Sequence, residues 1–212
     1  MSMLSQAATL ALKACWWQKW NVHMRMRPEE LAARLHYHKL GSTPHPHLPD
    51  SLVNAESVNR IIGYNGSINT SAYPGNGPTF LLPQVYPEGC PNHPAYPSGH
   101  ATMAGACVTV LKAFFDENEP MPTTSVVPDA TGSTLTTYSG PTLTIRDELN
   151  KLACNIAEAR NFAGIHYRSD MQEGLLLGER VAIGMMQQMN DCYSENFRFQ
   201  FSRFDGSSIT IR

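Results

Sequence analysis

The sequence predicts a mainly α protein: a helical bundle interrupted by long Pro- and Gly-rich loops and closed by a C-terminal β-hairpin. Three observations carry that expectation. Apolar residues recur at i, i+3 and i+4 over several separate stretches, the signature of amphipathic helices. Residues 41–98 and 116–143 are crowded with Pro, Gly and Thr, which favour ordered loops over regular elements. The last residues change to a period of two. The 212 residues read as one domain, with the bundle over about 5–192 and the hairpin over about 196–212.

Between Ser5 and Trp20, Leu10, Leu12, Ala14 and Trp17 fall near helical spacing. Pro28-Glu29-Glu30 opens a second helix, with Pro at the first helical position and acids in the first turn, and Gly41 stops it. The following stretch holds ten prolines, Pro44 to Pro97, relieved by a short helical candidate near Leu52 to Ile62. Ser98 then caps a helix whose Ala101, Ala104, Val108, Leu111 and Phe115 form a stripe, and whose small early residues permit close backbone approach. After the second loop, Thr144 with Asp147 forms a capping box ahead of a face made of Leu149, Leu152, Ile156, Ala159 and Ala163, ended by Gly164. Ser169 with Gln172 repeats that signal before a last long helix bearing Leu175, Leu176, Ala182, Met185, Met186 and Met189. Phe197, Phe199 and Phe201 alternate with polar residues, and Asp205-Gly206 sits where a hairpin turn belongs, before Ile209 and Ile211.

Sixteen Lys and Arg against 18 Asp and Glu give a net charge of -2, so nucleic acid and anionic membranes are excluded as main partners. Only 16% of residues are charged, well below the usual ~25%, which hints at faces buried between subunits. Five cysteines, Cys15, Cys90, Cys107, Cys154 and Cys192, are odd in number and contain no CxxC pair, against a zinc ribbon or a disulfide framework. The N-terminal stretch is a poor secretory signal because Lys13 breaks its apolar run and no cationic segment precedes it. No stretch approaches the ~18 apolar residues of a membrane span.

The chemistry-bearing residues fall in three groups. Ser98 and Gly99 lie at a helix start, where free N–H groups and the positive dipole end attract an oxyanion, and His100 faces the same place. Arg160 precedes His166 by six residues, with Asp170 four further on, offering a fixed cation and a neutral nitrogen to one centre. Lys19 and Arg27 are two cations near a helix junction; as an isolated pair they are no more distinctive than Lys13 or Arg25. Together the groups describe a site for a multiply charged tetrahedral oxyanion, with one histidine to bind or attack the central atom and the other to move a proton.

In this order and spacing the residues resemble the superfamily of vanadium-dependent haloperoxidases and type 2 acid phosphatases: Lys19 with Arg27-Pro28, then Pro97-Ser98-Gly99-His100, then Arg160 with His166 and Asp170. Two features resemble the branch of algal bromoperoxidases and their cyanobacterial relatives. Seven residues separate Lys19 from Arg27 and Ala159 precedes Arg160, where phosphatases and fungal chloroperoxidases usually have a six-residue gap and Ser. His93 stands seven positions before His100, where that branch places a second histidine linked to bromide oxidation. The 58 residues between His100 and Ala159 also fit that branch better than the compact phosphatases.

The resemblance implies a helical bundle of the haloperoxidase and acid phosphatase type acting as one catalytic domain. It implies vanadate as cofactor, with His166 as its ligand and Lys19, Arg27, Ser98, Gly99 and Arg160 holding its oxygens; phosphate takes the same site when vanadate is absent. His100 would be the general acid and base toward hydrogen peroxide, His93 would tune its basicity or the halide selection, Lys19 would polarise bound peroxide, and Asp170 would orient a histidine. Bromide, with chloride or iodide as further halides, would leave as a hypohalous acid equivalent that halogenates a small organic acceptor. Two other classes stay open: an acid phosphatase using His166 as phosphoryl nucleophile, and an inactive assembly fragment. Members of the branch are much longer, so the chain is expected to correspond to their C-terminal part, as a truncated or short form that buries apolar faces in a homo-oligomer. The family also implies an extracellular or cell-wall setting, for which this chain carries no signal.

Overall fold

The computed structural model describes residues 2–72, 77–121, 124–195 and 197–212; Pro74 of the Pro-rich stretch and the first residue of the expected hairpin lie outside them. Helix α1 (Ser2–Trp17) runs without a break into a six-residue π-helix (Gln18–His23), followed by α2 (Pro28–Lys39), α3 (Asp50–Val53) and α4 (Glu56–Ala72). Then come α5 (Gly99–Phe114), the short antiparallel pair β1 (Val126–Pro128) and β2 (Leu135–Thr137), α6 (Ile145–Phe162), α7 (Arg168–Cys192), and the hairpin β3 (Phe199–Ser202) and β4 (Ser208–Ile211). The protein is thus mainly helical with a C-terminal hairpin, as the sequence predicts.

Helix α5 is the axis of the bundle, packed by α1, α6 and α7. Its burial exceeds the predicted stripe: Ala101, Thr102, Ala104, Gly105, Ala106, Val108, Thr109, Val110 and Lys112 are all buried, while Leu111 is half-buried and Phe115 is exposed. The crossing with α7 is unusually close because glycines face it. A Cβ on Gly105 would sit 2.3 Å from the Leu175 carbonyl oxygen, and one on Gly178 would sit 2.0 Å from that of Thr102. Small residues make the other contacts too. Helix α1 buries Ala7, Ala11 and Cys15 and exposes Leu12 and Trp17; α6 buries Ala153 and Ala157 beside Leu149 and exposes Leu152 and Ile156. Leu12, Trp17, Leu152 and Ile156 thus depart from the faces expected for the two helices, while Leu10, Leu149 and Ala163 keep to them; an Ala or Cys seam lets backbones approach where Leu or Trp would hold them apart.

Three further expectations are corrected. The short helix near Leu52–Ile62 is in fact two, α3 and the 17-residue α4, the latter continuing through Gly63 and Gly66. Tertiary bonds override the glycines' low propensity. Asn65 Nδ2 donates to the Thr79 and Leu81 carbonyls, and Asn69 Nδ2 to that of Gly77, so the Pro-rich segment lies along the helix. The second loop contains the β1–β2 pair, whose turn is built on Asp129 accepting from Thr131, Ser133 and Thr134. Helix α7 is capped two residues earlier than Ser169 predicts: Tyr167 is the N-cap, and Asp170 at the third helical position accepts from the Tyr167 N–H at 3.0 Å.

Other signals stand as read. Thr144 accepts from Asp147 N at 3.2 Å, and Gly41, Gly164 and Gly206 take positive φ at the stops and turn. The hairpin pairs Phe199 with Ile211 and Phe201 with Ile209, and Phe201 and Ile211 enter the core cluster with Ala7, Ala11, Val110 and Met186. Two buried carboxylates grip its backbone. Glu117 accepts from the Ser202 amide and hydroxyl, at 2.8 and 2.6 Å, and Glu179 accepts from the Phe204 amide at 2.6 Å. Between them Lys112 is fully buried, with its ammonium 4.6 Å from the Phe204 ring centroid.

The glycine contacts give a direct test. Gly178→Ala forces the α5–α7 crossing apart and should destabilise by roughly 1–3 kcal/mol, lowering Tm by several degrees in a calorimetric scan. Gly184, with nothing within 4 Å of an added Cβ, should accept Ala with no loss.

Candidate anion site

Lys19 sits in the π-helix, whose widened turn is closed by Met24 N donating to the Lys19 carbonyl at 3.0 Å, five residues back. Met24 then takes a left-handed conformation (φ 45°) that ends the helix and turns the chain toward Arg27, the N-cap of α2. The seven intervening residues therefore bring both cations to one place. Lys19 is fully buried and donates to the Pro94 and Ala95 carbonyls at 2.5 and 3.1 Å. Burial, with Arg27 adding, lowers its pKa to about 8.

Arg27 is the hub. Its Nε donates to the His93 carbonyl at 2.8 Å, Nη1 to the Ile165 carbonyl at 2.7 Å and to His166 Nε2 at 3.0 Å, and Nη2 to His93 Nδ1 at 3.1 Å. A guanidinium only donates, so His166 Nε2 is unprotonated, while His93 Nδ1 faces both Arg27 Nη2 and, at 3.3 Å, the Pro94 carbonyl. His166 Nδ1 then carries the hydrogen and donates to Asp170 Oδ2 at 3.0 Å. Burial takes the His166 pKa down to about 4, with Arg27 and Lys19 adding and the Asp170 hydrogen bond opposing; burial, Lys19 and Arg27 take His93 to about 4 as well. Both rings are neutral at neutral pH.

A cavity of about 160 Å³ is lined by Lys19, Arg27, His93, Gly99, His100, Arg160 and His166 among the predicted residues. Gly99 and His100 are the first two residues of α5, whose N–H groups have no helical carbonyl to bond. His100 is exposed, its pKa lowered first by desolvation and then by Arg160. The two remaining predicted residues stand behind this wall. Ser98 is fully buried and its hydroxyl accepts from Ala101 N at 3.5 Å, while Asp170, also fully buried, backs His166.

Leu12, Trp16, Pro91 and Met103 complete the lining, and the motifs gave no notice of them. Trp16 was within reach, since it lies one helical turn before Lys19; its ring centroid is 4.9 Å from that of His93. Arg25, passed over as one cation among several, donates to Asp170 Oδ1 at 2.9 Å and to Ser169 Oγ at 2.7 Å.

Charge balance tests what such a cavity can hold. Three cationic side chains line it and none of its lining residues is acidic. Arg160 Nε is buried with no hydrogen-bond partner among the described residues. An orphaned guanidinium N–H, unspent helix N–H groups and uncompensated cations fit a small oxyanion carrying several oxygens. The donor set offers a hydrogen-bonded neutral imidazole to the same centre.

Comparison with known proteins decides the family. Residues 1–195 match the family described as VCPO second helical-bundle domain. The chain belongs to this family. Over its whole length this VCPO-type second helical bundle is 43% identical to the vanadium-dependent bromoperoxidase of Corallina officinalis and 44% identical to that of Corallina pilulifera, and over 97% of its length it is 42% identical to that of Ascophyllum nodosum. It spans 36% of the length of each. Its fold superimposes with a TM-score of 0.85 and 29% identity on the homohexameric structure of the second vanadate-dependent bromoperoxidase of Ascophyllum nodosum, over 99% of this chain and 39% of that one.

The pKa order sets a pH window. Between about 4 and 8 His166 is neutral and Lys19 charged, so binding of sulfate, whose own charge is constant over that range, should weaken as pH rises through about 8, by up to about tenfold per unit. The free protein should show the opposite trend. Its unfolded chain binds more protons at Lys19 between about 8 and 10.5, so that residue's contribution to stability rises with pH there. Calorimetric titration and Tm of wild type against Lys19→Met check both signs.

Proposed function

We propose that this chain is the vanadate-binding portion of a vanadium-dependent bromoperoxidase, which uses hydrogen peroxide to oxidise bromide to a hypobromous acid equivalent that halogenates a small organic acceptor. What supports this above all is the acid-free cavity in which Lys19, Arg27 and Arg160 surround the open face of a neutral, Asp-backed His166. Vanadate held there supplies a Lewis-acid centre that polarises peroxide.

The chain's own residues do the rest. Asp170 fixes the His166 tautomer so that the Nε2 lone pair faces the cavity as ligand. Arg27, which occupies that lone pair with Nη1, transfers its donor to an anion oxygen, and Arg160, Lys19 and the Gly99 amide take the others, with Ser98 holding the helix start in place. His100, exposed and with its pKa lowered by desolvation and Arg160, would take a proton from hydrogen peroxide at its imidazole and later give it back. His93, fixed by Arg27 and Trp16, bears on halide selection, with bromide preferred and chloride or iodide as further halides. Leu12, Trp16 and Met103 keep water from the inner wall. Phosphate, of the same shape, occupies these donors when vanadate is absent.

The chain works as a homo-oligomer. Large side chains left outside the small-residue seams supply the faces that a second copy would cover: Phe162 is 83% exposed, Phe114 70% and Trp17 58%. Among the described residues no helix is long and apolar enough to cross a membrane.

One paired assay tests the reading. Bromination of a phenolic dye should require both vanadate and peroxide and fall to background in His166→Ala, whereas aryl-phosphate hydrolysis should stay at background. Vanadate-inhibited hydrolysis without bromination would favour the phosphatase, and full bromination by His166→Ala would remove its ligand role. Light scattering should give a mass above the monomer; a stable, active monomer overturns the oligomer.

A further inference from the structure

We infer that Arg25 is a positioning residue for the anion site: by occupying the second oxygen of Asp170 it holds His166 in the tautomer that turns a bare nitrogen to the cavity. The inference rests on the proposed role of His166 as ligand, and on geometry that stands apart from it. Asp170 is fully buried. Its Oδ2 accepts from His166 Nδ1 and from the Tyr167 amide, both at 3.0 Å, and Arg25 Nη1 is the donor recorded at Oδ1, at 2.9 Å. A buried carboxylate oxygen without a donor is costly. Removing Arg25 therefore favours rotation of the carboxylate toward other donors, which frees the imidazole from its Nδ1 partner.

Arg25 is itself built into place. Its guanidinium carbon lies 4.3 Å from the Tyr167 ring centroid and 5.9 Å from that of Tyr96, Nη1 also donates to Ser169 Oγ at 2.7 Å, and its carbonyl accepts from Ala95 N at 2.8 Å. Arg34 and Glu30, one helical turn apart on the exposed face of α2, form an ordinary surface pair by contrast. The left-handed Met24 aims Arg25 at the outer side of Asp170 and Arg27 at the cavity side of His166. Two arginines two residues apart thus hold opposite ends of one His–Asp pair.

The test reads the imidazole directly. In vanadate-free, ¹⁵N-histidine-labelled protein near pH 7.5, His166 should show the Nδ1–H tautomer in wild type and a tautomer mixture in Arg25→Met. Arg25→Lys, which keeps a cation beside Asp170 without the fork to Ser169, should restore most of the wild-type signal, and Arg34→Met should not move it. Vanadate affinity should follow, about tenfold weaker in Arg25→Met. An unchanged tautomer in a folded Arg25→Met protein overturns the inference, even if wild type binds vanadate and brominates. A shifted tautomer in a protein whose wild type binds no vanadate upholds Arg25 and removes the proposed function instead. If Arg25→Met does not fold, Arg25→Leu, which likewise leaves Asp170 Oδ1 without its donor, supplies the comparison, and a wild-type tautomer in it overturns the inference.

Discussion

The carboxylate of Asp170 is closed off from solvent and gathers donors from several separate stretches of chain. Its side chain takes the His166 ring, the Tyr167 amide and the Arg25 guanidinium, and its main-chain carbonyl accepts from Ser98 N at 2.8 Å. One residue in the first turn of α7 therefore fixes the start of α5, the turn carrying His166, and the segment between the π-helix and α2. Leaving a buried carboxylate short of a donor costs on the order of 1–3 kcal/mol, so the site and the fold share this dependence. Asp170 is also the negative charge that offsets part of the positive charge of Lys19 and Arg27. It does so from behind His166, leaving the cavity itself uncompensated. That arrangement costs stability in the free protein and gives affinity for an anion.

Packing four helices closely enough around such a small cavity requires thin interfaces. Gly105, Gly174 and Gly178 on α5 and α7, Ala7, Ala11 and Cys15 on α1, and Ala153 and Ala157 on α6 supply them. Gly174 is the clearest link between packing and site, because a Cβ there would meet Ala101 Cβ at 2.8 Å and the Ser98 carbonyl at 2.9 Å, pushing away the very turn whose N–H groups face the cavity. The same economy leaves Leu152, Ile156 and Phe162 outside. The apolar surface of this chain is therefore displaced from its helix interfaces to its exterior.

That displacement explains which parts of the sequence were legible. Stops and caps are local physics, and Thr144, Gly41, Gly164 and the Asp205-Gly206 turn could be read directly because each needs only its neighbours. The α5 and α7 faces were legible too, with Ala101, Ala104, Val108, Leu175, Ala182, Met185 and Met186 buried as expected, but those of α1 and α6 were not, since hydrophobic periodicity weights Leu, Ile and Trp above Ala, and there the Ala and Cys positions face inward. Helix α4 was underestimated because its support comes from Thr79 and Leu81, more than a dozen residues away from Asn65. In the site, seven of the nine predicted residues line one cavity because their spacing records chemistry. Arg25 went unrecognised because nothing in its neighbourhood signals Asp170, 145 residues later.

The Lys19–Arg27 gap shows how a count of residues becomes geometry. In a continuous α-helix, residues eight apart lie about 12 Å apart along the axis, and Lys19 and Arg27 would not converge on one small ion. The i→i+5 closure from Met24 to Lys19 widens the last turn, and the left-handed Met24 reverses the chain before α2 begins. An extra residue inserted in a helix is commonly absorbed as such a π-turn, and these turns concentrate at functional sites. Here it has two effects at once: Lys19 is turned inward onto the Pro94 and Ala95 carbonyls, and the following residues are released in extended form so that Arg25 and Arg27 reach opposite sides of the His166–Asp170 pair. Removing one residue from this segment would restore a regular helical turn while moving Lys19, Arg25 and Arg27 out of register with α7, so the irregular backbone is what places these cations.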